Sequence, residues 1–76
     1  MEDIVVGFGR TLRRLRLEKE MSQERLGLAA EIQRNTVIAL ELGQKQPTLK
    51  TIFRIASALE LRVSELFSIV ESDLEV

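Results

Sequence analysis

Seventy-six residues enclose one small core and no second, and a chain of that size buries roughly 60% of its unfolded surface. Cysteine and histidine are both absent, which excludes disulfide staples, thiol nucleophiles, imidazole bases and the usual zinc sites. The net charge of −1 is unevenly laid out: residues 10–54 carry +5, residues 1–9 carry −2 and residues 55–76 carry −4. A basic body joined to an acidic tail can attract phosphate on one face while the total stays near zero.

No run approaches the ~18 apolar residues of a membrane span. The acidic start MEDIVVGFG has too short an apolar run for a signal peptide. A cytoplasmic protein with no membrane partner is expected.

The first helical pattern runs from about Phe8 to Glu20. Phe8, Leu12 and Leu15 make one stripe, Arg10, Arg13, Arg14 and Lys19 lie mostly off it, and Arg16 flanks it. The basic cluster reads either as a phosphate contact or as an ordinary solvated face. GFGRTL has Leu12 where GxGxxG needs its third glycine, and it follows no strand, so no phosphate cradle is read there.

Ser22 suits the N-cap of a second helix, with Glu24 in its first turn to complement the dipole. Leu26, Ala29 and Ala30 give that helix a thin apolar face, ending near Glu31. A third pattern spans about Gln33 to Leu42. At 100° per residue, Val37 and Leu40 define its inner face. Asn35, Ile38, Ala39 and Leu42 point outward, and Arg34 and Glu41 lie on a flank.

In GQKQPT, residues 43–48, Gly43 is placed to end a helix and Pro47 precedes Thr48, a good cap. A fourth helix then carries Leu49, Ile52, Phe53, Ala56 and Leu59 on one expected face. The fifth places Val63, Leu66, Phe67, Val70 and Leu74 in register. No segment alternates for long, so the expected fold is all-α, a five-helix bundle spanning one domain of residues 1–76.

A short helix, a tight turn near Glu31 and Ile32, and a second helix describe a helix-turn-helix at about residues 22–42. That arrangement sets the start of the second helix in the DNA major groove. Arg34 can donate two hydrogen bonds to a guanine edge and Asn35 can pair with adenine, while Ile38 and Ala39 suit a thymine methyl. The aliphatic Ile38 and Leu42 equally suit a protein-docking surface, which keeps a partner-binding module with little sequence-specific DNA binding as the alternative.

From Phe8 to Phe67 the chain resembles the phage-repressor and Cro-type helix-turn-helix domains, the XRE-like family. The resemblance rests on LRRLRLEKEMSQERL, RNTVIALELGQKQPTLKTIFRIASAL and SELF. It implies a lambda-repressor-like bundle that binds double-stranded DNA as a transcriptional regulator. By position, it implies base contacts from Arg34, Asn35 and Ala39, with Ile38 beside them. Phosphate contacts are implied for Gln23, Gln33, Thr36, Gln44, Lys45, Gln46 and Thr48, and a structural salt bridge for Arg16 and Glu41. Small relatives include restriction–modification controller proteins, prophage repressors and antitoxins, and the residues do not choose among them.

Departures from the family pattern are Gly27 for the usual Ala, Glu31 for the turn Gly, and Gln33 and Arg62 for the usual caps, with Ser64 a substitute for the latter. The fifth stripe is long for so small a core. Val63 and Phe67 are expected to close the bundle, and Phe67, Ile69, Val70 and Leu74 to form the seam of a two-fold homodimer. The helix, taken as residues 63–72, serves both purposes. No base–nucleophile pair or metal-ligand cluster stands at readable spacing, so no enzyme, cofactor, metal site or small-molecule ligand is expected. With no room for a sensing domain, control is expected to follow the regulator's own concentration.

Overall fold

The computed structural model describes residues 3–74. Five helices follow one another: α1 Ile4–Glu18, α2 Gln23–Ala30, α3 Arg34–Glu41, α4 Leu49–Ala58 and α5 Val63–Leu74. Among the described residues there is no strand, and no helix is long and apolar enough to cross a membrane. α1 packs on α3 and α5, and α4 bridges α2 and α5.

The helix starts follow local chemistry. The Ser22 hydroxyl accepts the Arg25 N–H at 3.0 Å, and that of Thr48 accepts the Thr51 N–H at 3.1 Å. At α5 the cap comes from Glu65, whose carboxylate accepts the Arg62 N–H at 2.8 Å, one half of a capping box. α1 begins four residues before the expected Phe8, because the Asp3 carboxylate caps it by accepting the Val5 N–H at 2.8 Å.

Helix ends are tighter than the sequence suggests. Glu20, Glu31 and Glu60 all take left-handed backbone with φ of 56°, 58° and 60°, and Gly43 follows α3 at 71°. Glu31 therefore adopts a conformation that favours glycine, at a cost of roughly 1–2 kcal/mol for an L-residue.

Phe8 and Leu12 of α1, Leu26 of α2, Val37 and Leu40 of α3, Ile55 of α4 with its C-cap Leu59, and Leu66 and Val70 of α5 share the core. α1 and α3 meet at Gly9. A Cβ there would collide with the Leu40 carbonyl oxygen and stand 2.9 Å from that of Glu41.

Two expectations need correction. The α4 stripe is rotated: Ile55, Ala56 and Leu59 are buried, Ile52 is half-buried, and Leu49 and Phe53 are 70% and 57% exposed. Apolar residues occupy so much of that helix that its period fits two phases, and packing against both α2 and α5 selects the one with Ile55 inside. On α2, Ala29 is exposed, and Gly27 joins Leu26 and Ala30 in the interior.

Candidate nucleic-acid interface

α2 and α3 are joined by Glu31, Ile32 and Gln33. The Ile32 N–H donates to the Gly27 carbonyl at 2.9 Å, folding the turn back on α2. A Cβ at Gly27 would lie 2.9 Å from the Ile32 oxygen. Gly27 thus answers to this close approach, although it weakens the helix by roughly 1 kcal/mol relative to Ala.

Gln33 is extended at φ −74° and ψ 149° and contributes no side-chain cap to α3. Its carbonyl accepts from Thr36 and Val37 at 3.0 and 3.2 Å. Without a capping side chain, the positive end of the α3 dipole stays open to an anion. Gln33, Arg34 and Asn35 are exposed there, and Thr36, Ile38 and Ala39 are half-buried behind them. Val37, Leu40 and Glu41 point into the protein, and Leu42 closes the outer stripe at 63% exposed.

A buried polar network fixes the helix to its neighbours. Arg16 Nε donates to Glu41 Oε2 at 2.6 Å and Arg16 Nη2 to Oε1 at 3.1 Å, a two-pronged pair with side chains 8% and 2% exposed. The remaining Arg16 nitrogen, Nη1, donates to the Met21 carbonyl at 2.8 Å. Gln23 Nε2 donates to Glu41 Oε1 at 3.1 Å. α1, the turn at Met21, the start of α2 and the end of α3 are thereby tied through one ion pair, Met21 by the guanidinium and Gln23 by the carboxylate. Gln23, expected at phosphate, is half-buried and held by that network.

Gln44, Lys45, Gln46 and Thr48 lie exposed along the loop into α4. The Thr48 hydroxyl is engaged with Thr51, accepting its N–H and donating to its Oγ1 at 2.9 Å. Lys50 is exposed in the first turn of α4, beside Ala29, Ala30 and Glu31 at the end of α2. By period alone a lysine there reads as a solvated position.

Two of the cations on and just after α1, Arg14 and Lys19, are answered by acids. Arg14 donates to Asp73 Oδ2 at 2.8 Å and to Glu18 Oε2 at 3.0 Å, and Lys19 pairs with Glu60 at 2.7 Å. The hydrogen bond from Arg14, then that from Thr11, holds the Asp73 carboxyl below its ordinary value, and the Arg14 guanidinium is raised in turn. The acidic tail of the sequence thus neutralises part of its basic body.

Of the expected dimer residues, Phe67 is partly exposed, its ring 6.4 Å from that of Phe8, and Ile69 and Leu74 are half-buried. Val70 is 5% exposed within one chain and packs in the core. Beside them opens a groove of about 270 Å³ whose walls include Ile4, Phe8, Pro47, Phe67 and Leu74, and Val70 lines it too.

Residues 12–66 match the family model described as Helix-turn-helix. The control protein C.MunI of a Mycoplasma species is 34% identical over 74 residues, covering 96% of this chain and 100% of that protein. The crystal structure of the restriction–modification controller protein C.AhdI from Aeromonas hydrophila superposes with a TM-score of 0.80 at 40% identity, over 83% of this chain and 96% of that one. The controller protein C.Esp1396I, a tetramer in complex with its natural 35 base-pair operator, superposes with a TM-score of 0.91 over 100% of both chains at 21% identity. That last likeness is one of fold.

Proposed function

The chain belongs to the helix-turn-helix family of the phage-repressor and Cro type, and we propose that it is a sequence-specific transcriptional regulator that binds a palindromic operator as a homodimer. Controller proteins of restriction–modification systems are the relatives it is taken to follow in kind.

The observation that carries this reading is the open, uncapped start of α3. It presents Arg34 and Asn35 while its far end is anchored through the buried Arg16–Glu41 pair. A reading helix fixed at one end and polar at the other holds two base-matching side chains in one register. Arg34 takes a guanine edge, Asn35 an adenine edge, and Ile38 and Ala39 the thymine methyls beside them. Gln33, Thr36, Gln44, Lys45, Gln46 and the capped start of α4 contact phosphate, which positions the helix without reading sequence. Gln23 braces α3 through Glu41 and offers the rest of its amide to the backbone.

Two copies joined through Phe67, Ile69, Val70 and Leu74 bring their reading helices about 34 Å apart, one turn of DNA. The regulator works in the cytoplasm, without cofactor or catalytic activity, and its occupancy follows its own concentration through dimerisation. Leu42, 63% exposed at the far end of the outer stripe, favours a second reading in which α3 docks a protein.

Selection from randomised duplex DNA, comparing wild type with an Arg34→Ala, Asn35→Ala double variant, tests the proposal. Enrichment of a two-fold motif that blurs in the variant supports it. Absence of any motif, together with a salt-insensitive protein complex lost on Ile38→Lys, turns the reading to the second.

A further inference from the structure

We propose that Asp73 is a positioning residue: with Thr11 and Arg14 it clamps the last turn of α5 onto α1 and so sets how tightly two copies associate. The inference rests on the reading of α5 as the dimer face.

The last described turn of α5 has an unfavourable charge pattern. It holds Glu71 and Asp73 and no basic residue, so its own dipole opposes the charges it carries. Two side-chain tethers reach it from 59 and 62 positions earlier in the chain. Thr11, 2% exposed, donates its hydroxyl to Asp73 Oδ2 at 2.6 Å, and Arg14 Nη2 donates to the same oxygen at 2.8 Å. Arg10 adds attraction by charge, and Glu18 holds the other prong of Arg14.

The neighbouring Leu74 joins this clamp to the dimer face. It lines the polar notch that contains Thr11, Arg14 and Asp73, and also the apolar groove that contains Phe8 and Phe67. Release of Asp73 lets the final turn fray and withdraws Leu74 from the groove. Leu66 and Val70, buried further back, keep the rest of α5 in the core. The bundle then survives while the surface offered to a second copy loses its end.

The test uses the full chain. The dimer dissociation constant is measured by sedimentation equilibrium for wild type, Asp73→Asn, Arg14→Gln, their double variant and Leu74→Ala, with amide exchange followed at residues 72–74. We expect Asp73→Asn to weaken the dimer about fivefold, the scale of a half-exposed ion pair with one added hydrogen bond. Protection of the final amides should fall, Arg14→Gln should act in the same direction, and the double variant should fall short of the sum. Arg14 is exposed, so its variant keeps the test open if Asp73→Asn folds poorly. A dimer unchanged within about twofold in both single variants, while Leu74→Ala weakens it, overturns the clamp and leaves the dimer reading standing. A wild type that stays monomeric at every concentration overturns both.

Discussion

Arg16 Nε and Glu41 Oε2 lie 2.6 Å apart across 25 residues of sequence, almost wholly out of solvent. Every other contact in the network depends on this pair, because Gln23 and Met21 use only the bonding capacity it leaves over. A buried pair gains less from its attraction than it stands to lose when one partner goes, since the survivor keeps its desolvation penalty. Glu41→Leu is therefore expected to destabilise the fold by about 3–5 kcal/mol in urea unfolding. The double variant Arg16→Met, Glu41→Leu should lose less than either single change. Singles that cost under about 1 kcal/mol would mean that water reaches the pair.

Gly9 and Gly27 should respond differently to alanine. At Gly9 the added Cβ meets backbone carbonyls of α3, which cannot move aside without displacing the helix. Gly9→Ala is expected to destabilise by about 3 kcal/mol, the upper range for overpacking. At Gly27 the nearest atom is the turn carbonyl of Ile32 at 2.9 Å, and a helix-propensity gain of roughly 1 kcal/mol opposes the crowding. Gly27→Ala should stay within about 1 kcal/mol of wild type. Thermal melts of the two variants side by side decide the ranking.

How far the sequence could be read depended on where the deciding contacts lie. The inner face of α3 was legible because Val37 and Leu40 stand alone among polar and outward-facing neighbours. Ser22 and Thr48 were legible as caps because capping is settled within three residues. α4 was not, since Leu49, Ile52, Phe53 and Ile55 offer two apolar phases and only its neighbours choose between them. Gly9, read only as a failed phosphate loop, owes its role to a helix crossing that no local pattern encodes. The exposed Arg34 and Asn35 stand out by chemistry, whereas Asp73 acquires its role from Thr11, 62 residues away.

Glu31 offers a stabilising change. Its left-handed backbone at φ 58° disfavours any side chain, and glycine removes roughly 1–2 kcal/mol of that strain. Part of the gain, about 0.5–1 kcal/mol, returns as added freedom of the unfolded chain. Glu31→Gly should raise stability by about 0.5–1 kcal/mol, while Glu24→Gly, inside α2, should lower it by about 1 kcal/mol. Chemical denaturation of both variants reads the opposite signs. A loss of stability at position 31 would show that the glutamate side chain contributes more than its backbone costs.

Acid should undo the Asp73 clamp in a defined direction. Its carboxyl is held below the ordinary 3.8 by Arg14 first and Thr11 second. A group depressed in the folded state binds its proton more readily when unfolded, so it stabilises above the ordinary value. That contribution shrinks as the pH falls below 3.8 and through the folded value. The melting-temperature gap between wild type and Asp73→Asn should be constant from about pH 7 to 5 and close below about pH 4. A gap that persists at the acid end would assign the effect of the variant to packing.

Salt and sequence should separate the two kinds of DNA contact proposed for the surface around α3. Lys45, exposed on the loop, meets phosphate in this reading. Replacing it with alanine should weaken binding alike on every duplex and flatten the logarithmic salt dependence by about 0.9. Arg34→Ala should instead reduce discrimination at one guanine by about 1–3 kcal/mol, with binding to other sequences much less affected. Anisotropy titrations of the two variants on one selected operator and a scrambled duplex, at several salt concentrations, measure both quantities. A loss for Arg34→Ala that is equal on both duplexes would place that side chain on the backbone. The reading of bases would then fall to Asn35, Ile38 and Ala39.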